Sequence, residues 1–242
     1  MLSENAIKEF AVKYQTSELN IAREYFQNLF LSVLYLQKNA EDLAFKGGTA
    51  LRIVFNSPRF SEDLDFTADT GLKAFSIKQL LSSVLKEVEK ENMPVKTLEA
   101  KETSGGFLAI CEIVLLSYKA RLELNISTRP KNTIFKMEPH LIASELFPPY
   151  TLLALDSRTL VKEKLQALLF RKKPRDLFDL YYIIRSRIAP EQVVALKKEI
   201  LKMLEEYKEG ALTGELKVFL PKSYWSLLPG MIKKLKEQVK SI

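Results

Sequence analysis

Cysteine and histidine are almost absent from this sequence, which contains one of each in 242 residues. Cys111 alone cannot form an internal disulfide or a cysteine-based zinc site, and its apolar neighbours predict a buried structural thiol. The single His140 argues against catalytic triads, histidine-rich metal sites and paired-histidine ribonucleases. Because His140 follows Pro139, we expect it in a loop with a surface or packing role.

Long apolar runs are also missing, since no stretch approaches the roughly 20 residues that a membrane span needs. The first 14 residues lack the apolar core of a signal peptide, so we expect a cytoplasmic protein without a membrane partner. Hydrophobic residues make up 47% and charged residues 28%, as in ordinary globular proteins. The net charge of +7 favours polyanionic partners, nucleic acid included.

The most informative segment runs from residue 45 to residue 66 and contains a Gly-Gly-Thr turn followed by two acids. Gly47 and Gly48 allow backbone N–H groups to approach phosphate oxygens, and Thr49 suits the start of a helix. Asp63 and Asp65 share one face if residues 63–67 form a strand. A Gly-Gly pair is usually only a turn, and an Asp-x-Asp is usually polar surface. Together, in this order, they indicate a site for a divalent metal and a nucleoside triphosphate.

The remaining pattern predicts an α+β protein. Helices are expected over residues 3–38, with a break near 15–17, and over 75–91; strands are expected at 95–102, 107–116 and 119–127. From Pro148-Pro149 onward the pattern is almost wholly helical. We therefore expect an α/β lobe at 1–148 and a helical lobe at 149–242.

A second cluster of charged residues lies in the helical half. On a helix, Lys164 and Arg171 share a face that is otherwise core-like, and a lysine there either snorkels to solvent or has a specific partner. Pro174 suits the first turn of the next helix, where Asp176 complements the helix dipole. Asp179 follows one turn after Asp176, on the same face.

These segments resemble the AbiEii toxin family, which belongs to the DNA polymerase β-like nucleotidyltransferase superfamily and occurs in type IV toxin–antitoxin and abortive-infection systems. The resemblance covers roughly residues 43–185. It is carried by the sequences FKGGTAL at 45–51, RFSEDLDF at 59–66 and RKKPRDLFD at 171–179, with Lys164 in the preceding helix. It implies a mixed sheet of the nucleotidyltransferase type with flanking helices, followed by a helical lobe.

The resemblance also implies a Mg²⁺- or Mn²⁺-dependent enzyme that moves a nucleotide from an NTP to RNA, tRNA or protein and has an antitoxin partner. In that fold a third acid lies on a neighbouring strand, and Glu123 is the candidate. The implied metal ligands are Asp63, Asp65 and Glu123. The implied catalytic residues are these three with Lys164, Asp176 and Asp179. The implied nucleotide-binding residues are Gly47, Gly48, Thr49, Ser61, Lys164 and Arg171.

Two alternatives remain open at this point. A metal-dependent nuclease commonly needs Glu-x-Lys on its second acidic strand, and Asn125 stands where that lysine would be. A catalytically idle protein of the same fold would still bind nucleotide or nucleic acid, although the intact acids count against it.

Overall fold

The architecture comes from a computed structural model that describes residues 2–69, 74–129, 135–207 and 212–242. The chain forms two compact units. The sheet unit comprises Met1–Asn56 and Phe60–Leu155, and the helical unit comprises Ser57–Arg59 and Asp156–Ile242. The predicted boundary lay between residues 148 and 149. The division falls after Leu155 because the segment behind the two prolines is another strand of the sheet.

The helices of the sheet unit begin where their caps predict. Ser3 and Ser17 each accept a hydrogen bond from a backbone N–H of the first turn, and Gln15 adopts a positive φ of 52° between the two helices. The predicted break near residues 15–17 is therefore confirmed. The helices of this unit are α1 (Glu4–Lys13), α2 (Glu18–Leu34), α3 (Gly47–Ile53) and α4 (Ala74–Glu89).

Seven strands form one mixed sheet in the order β3-β4-β5-β2-β1-β7-β6. They are β1 (Leu43–Lys46), β2 (Leu64–Asp69), β3 (Val95–Thr103), β4 (Gly106–Leu115), β5 (Tyr118–Arg129), β6 (Met137–Ile142) and β7 (Tyr150–Leu155). Strands β2 to β5 confirm the prediction within a few residues. The α+β fold class is confirmed as well.

Three strands were not predicted from the sequence. Strand β1 has only four residues, which is too short for a periodic signal. Strand β6 contains Pro139, which is tolerated because β6 is an edge strand. The expectation that His140 lies in a loop was therefore wrong. Its ring packs edge-on to Phe55 at 6.0 Å between centroids, which agrees with the packing role.

One face of the sheet forms the core beneath α2 and α4. Leu64 and Phe66 of β2 are fully buried there, and the Phe66 ring lies 5.5 Å from Phe45 of β1 between centroids. Cys111 of β4 is buried and unbridged, as predicted, and burial raises the pKa of its thiol. The polar residues that alternate with these side chains therefore lie on the opposite face.

The helical unit contains six α-helices within its described residues. They are α5 (Ser157–Arg171), α6 (Pro174–Arg185), α7 (Pro190–Ala195), α8 (Lys197–Glu206), α9 (Leu212–Phe219) and α10 (Met231–Ser241). Asp156 caps α5 through the Thr159 N–H, and Pro174 occupies the first turn of α6 as expected. Among the helices that the structure describes, none is long and apolar enough to cross a membrane.

Candidate active site

The glycine turn and the acidic strand meet at Gly47 and Asp65. Gly47 begins α3 with a φ of +84°, a conformation that favours glycine. A Cβ atom at this position would overlap the Asp65 side chain and lie 2.9 Å from its Cγ. Glycine is therefore favoured at position 47 for two reasons: its backbone conformation, and the Asp65 carboxylate that packs where a side chain would lie.

Asp63 lies one residue before β2, whereas the sequence predicted a strand that includes it. Its backbone carbonyl accepts a hydrogen bond from the Thr49 hydroxyl, and the Thr49 side chain is completely buried. The sequence assigned Thr49 to the nucleotide. The structure instead engages its hydroxyl in holding the Asp63 backbone, and the neighbouring Gly48 is buried too.

Helix α2 fixes the segment that leads into Asp63. The Gln27 side-chain amide donates to the backbone carbonyls of Ser61 and Glu62, at 3.0 and 3.1 Å. Arg23 lies 3.3 Å from the Glu62 carboxylate and is 7% exposed. Burial lowers the Arg23 pKa, which the negative charges of Glu62 and Asp63 partly offset. Gln27 and Arg23 were missed from the sequence because they lie on another helix, more than 30 residues away.

The polar face of the sheet gathers further groups around Asp65. In the strand register, Asp65 lies beside Lys46 of β1 and Asn125 of β5. Glu123 lies two residues before Asn125, so it shares this face, and its carboxylate accepts a hydrogen bond from the Asn125 amide at 3.2 Å. The predicted strand and face of Glu123 are confirmed.

Lys46 is the residue of this face that the sequence reasoning overlooked. Its ammonium donates to the Ser127 hydroxyl at 2.7 Å. Burial lowers the Lys46 pKa to about 8, and the nearby Arg129 adds to this, while Asp65 acts in the opposite direction. The available signal was its position directly before Gly47, which places it opposite Asp65 once β1 and β2 pair.

The donor chemistry of Asp63 and Asp65 suits Mg²⁺, which proteins usually hold through one or two carboxylates together with substrate phosphates. The Asp65 side chain occupies the space that a side chain at position 47 would fill, so its carboxylate lies directly against the backbone at the start of α3. Within the described residues, no three or more His, Cys, Asp and Glu side chains form a group that could hold a metal. In the described structure Asp63, Asp65 and Glu123 are therefore not gathered as a three-ligand site, and the two aspartates are the candidate ligands that share the segment beside Gly47.

In the helical unit, Lys164 and Asp179 form the centre of a buried charge cluster. Asp179 is 1% exposed and accepts a hydrogen bond from Lys164 Nζ at 2.9 Å. Arg59 donates to both Asp179 oxygens, at 2.8 and 3.1 Å, across 120 positions of sequence. Burial alone would raise the Asp179 pKa, but the charges of Arg59 and Lys164 lower it to about 2. Lys164 is thus buried and paired, and the snorkelling alternative is wrong.

Arg171 and Asp176 form a second pair in the same unit. Arg171 Nε and Nη2 donate to the two Asp176 oxygens at 2.7 and 2.6 Å. The Asp176 carboxylate is fully buried, whereas 38% of the Arg171 side chain is exposed. The resemblance implied that Arg171 binds nucleotide, and in this structure its guanidinium holds the Asp176 carboxylate. Asp176 fixes the guanidinium in a two-bond fork.

The sequence and the fold were compared with those of known proteins. The model of the nucleotidyltransferase AbiEii toxin family of type IV toxin–antitoxin systems matches residues 29–238. No curated protein sequence matches the chain. The fold is similar to that of MenT4, a nucleotidyltransferase toxin from Mycobacterium tuberculosis, with a TM-score of 0.70 and 16% identity over 100% of this chain and 91% of that one. It is also similar to JHP933 from Helicobacter pylori, with a TM-score of 0.57 and 20% identity over 93% and 95%. The chain belongs to the AbiEii family of nucleotidyltransferase toxins.

Proposed function

We propose that this nucleotidyltransferase moves a nucleotide from an NTP to an RNA acceptor, tRNA ends included, and that the reaction depends on Mg²⁺ or Mn²⁺. The observation that carries the proposal is the packing of the Asp65 carboxylate against Gly47, because it brings a candidate metal-binding acid next to glycines whose backbone N–H groups can contact phosphate oxygens. The net charge of +7 favours RNA over a protein as acceptor. Membership of a type IV system implies an antitoxin as the protein partner.

Asp63 and Asp65 are our candidates for the residues that hold the metal. Nucleotidyltransferases generally use divalent metals. Such an ion, when bound, would neutralise triphosphate oxygens and lower the pKa of the attacking hydroxyl. The Thr49 hydroxyl keeps Asp63 in place by donating a hydrogen bond to the Asp63 backbone carbonyl. Glu123, on the face that carries Asp65, is the candidate for the base that accepts the hydroxyl proton.

The phosphate contacts that we propose come from backbone and from cations. Gly47 and Gly48 offer backbone N–H groups. Ser61, two residues before Asp63, is our candidate for a further contact with the substrate. Lys164, whose ammonium donates to Asp179 at 2.9 Å, is our candidate for the cation that contacts the leaving pyrophosphate. Asp179 would orient Lys164.

Arg171 and Asp176 have a related role in this proposal. Because the fork of Arg171 is engaged with Asp176, we assign Arg171 an electrostatic contribution to phosphate binding. Asp176 would support this contribution by holding the guanidinium.

The test is transfer of label from each of the four α-³²P-NTPs, with Mg²⁺, Mn²⁺ or EDTA, and with or without total tRNA. We expect labelled RNA with one or more NTPs in the presence of metal, and none with EDTA or with Asp65→Asn. Absence of any labelled product from the wild-type protein would refute the proposal. Label on a protein instead of RNA would refute the choice of acceptor.

The same reactions separate the two alternatives. An idle protein binds NTP in calorimetric titration but transfers no label. A nuclease shortens the tRNA on a denaturing gel and needs no NTP.

The variant Lys164→Met tests the proposed phosphate contact. It keeps the aliphatic chain and leaves Asp179 paired with Arg59, so the protein should still fold. Because the variant loses a charged hydrogen bond to phosphate, its affinity for NTP should fall about tenfold or more. Unchanged NTP affinity in this variant would remove Lys164 from the site.

A further inference from the structure

The net positive charge of this protein comes from one part of the sequence. Residues 156–242 contain 19 Lys and Arg against 11 Asp and Glu, whereas residues 1–155 contain 18 against 19. The whole excess therefore belongs to the segment that builds the helical unit. A polyanionic partner is attracted to that unit rather than to the sheet unit.

Within the helical unit, the junction of α5 and α6 presents an aromatic ring among cations. Phe170 lies in the last turn of α5 and is 92% exposed, more than any other large hydrophobic residue that the structure describes. The next residues are Arg171, Lys172 and Lys173, and all three are exposed. The Lys172 ammonium makes a long contact of 3.4 Å with the Glu206 carboxylate, and both side chains are about half exposed, so this ion pair contributes little.

The backbone of this junction is held in place although its side chains face solvent. Arg171 donates two hydrogen bonds to the buried Asp176 carboxylate. The Lys172 N–H donates to the Leu168 carbonyl at 3.0 Å and so ends α5. Lys172 adopts a left-handed conformation, with φ 50° and ψ 39°, at the helix end where glycine is usual. The segment therefore presents Lys172 to solvent from a backbone of fixed conformation.

We propose that the segment from Phe170 to Lys173 binds single-stranded RNA, with one base stacked on the Phe170 ring and phosphates bound by Lys172 and Lys173. The proposal deepens the proposed function and rests on RNA as its acceptor. An exposed ring offers its face to any unpaired base, and stacking of this kind tolerates many sequences. A protein partner fits less well, because protein interfaces are built around an apolar core, whereas the three residues that follow Phe170 in the sequence are exposed cations.

The binding test uses fluorescence anisotropy of a labelled 12-nucleotide single-stranded RNA, with EDTA and without NTP, so that no chemistry occurs. Phe170→Ala should weaken binding roughly tenfold, which is the usual size of one lost stacking contact, and Phe170→Trp should restore it. The matched control is Phe75→Ala, which removes another exposed ring, 69% exposed, from the sheet unit. The same RNA in a duplex should bind more weakly to the wild-type protein.

The charge test uses the salt dependence of the same binding. Lys172→Gln with Lys173→Gln should make the slope of log K against log salt shallower by about 1.4, because each single-strand phosphate contact contributes about 0.7. The control is Lys38→Gln with Lys78→Gln, two exposed lysines of the sheet unit. It makes the same change in net charge and should leave the slope nearly unchanged. Equal slopes for the two double variants would overturn the proposal.

Further outcomes keep this proposal distinct from the proposed function. If RNA is labelled by the wild-type protein but Phe170→Ala binds RNA as tightly as before, the RNA-binding segment is refuted and the function stands. If Phe170→Ala loses RNA binding while no RNA is ever labelled, the acceptor assignment fails and the segment is supported. Loss of binding to an acidic protein partner, with RNA affinity unchanged, would assign the segment to that partner and overturn the proposal.

Discussion

Removal of the Asp179 carboxylate should destabilise the helical unit more than removal of any exposed acid. Asp179→Ala leaves Arg59 and Lys164 buried without the anion that both contact. The loss of one partner from a buried ion pair typically costs about 3–5 kcal/mol. That is a large part of the roughly 5–15 kcal/mol by which folded proteins are stable. Asp179→Asn keeps one oxygen acceptor, so its cost should be smaller.

The Asp179 pKa gives the part of this contribution that depends on pH. It falls from 3.8 to about 2 in the folded protein. This difference corresponds to roughly 2 kcal/mol, since one pKa unit is worth about 1.4 kcal/mol. The folded pKa is the lower one, so the unfolded chain takes up its proton first as the pH falls. The contribution is therefore complete above about pH 4 and is lost as the pH falls towards 2.

Urea unfolding followed by circular dichroism at several pH values measures both effects. At pH 7 the Asp179→Ala midpoint should be clearly lower than that of the wild-type protein. The difference between wild type and Asp179→Asn should shrink by roughly 2 kcal/mol between pH 5 and pH 2. The control is Glu191→Ala, because Glu191 pairs with Arg158 at 3.0 Å in an exposed bridge worth about 1 kcal/mol or less. Equal stability of Asp179→Ala and Glu191→Ala would refute the reasoning, as would a difference independent of pH.

Three further substitutions test other parts of the structure. Gly47→Ala should abolish nucleotide transfer while the protein still folds, because the added Cβ overlaps the Asp65 side chain; full turnover in the labelling assay would contradict this. Arg171→Lys should lower stability by about 1–3 kcal/mol in urea, since an ammonium cannot reproduce the fork on buried Asp176, whereas an unchanged midpoint would show that the fork is dispensable. Lys172→Gly should raise the melting temperature by a few degrees, through relief of about 1 kcal/mol of left-handed strain, and yet weaken RNA binding. A lower melting temperature would contradict the strain argument.

The sequence by itself determined the features that depend on short separations along the chain. Strand β2 with Asp65, the α5–α6 junction and the strand of Glu123 each follow from turn chemistry or periodicity within about 20 residues. The same segments carried the resemblance to the family, which the family model then showed. Strands β1 and β6 gave no such signal, because one is too short and the other contains Pro139.

Only the tertiary structure decided which side chains neutralise or position one another. Arg59 reaches Asp179 across 120 positions, and Lys46 reaches Ser127 across 81. Thr49 was assigned to phosphate from the sequence, yet its hydroxyl holds the Asp63 carbonyl. A hydroxyl, ammonium or guanidinium can serve a ligand or another side chain equally well, and local sequence does not distinguish the two. The choice depends on strand register and helix packing, which bring together groups that lie far apart in the chain.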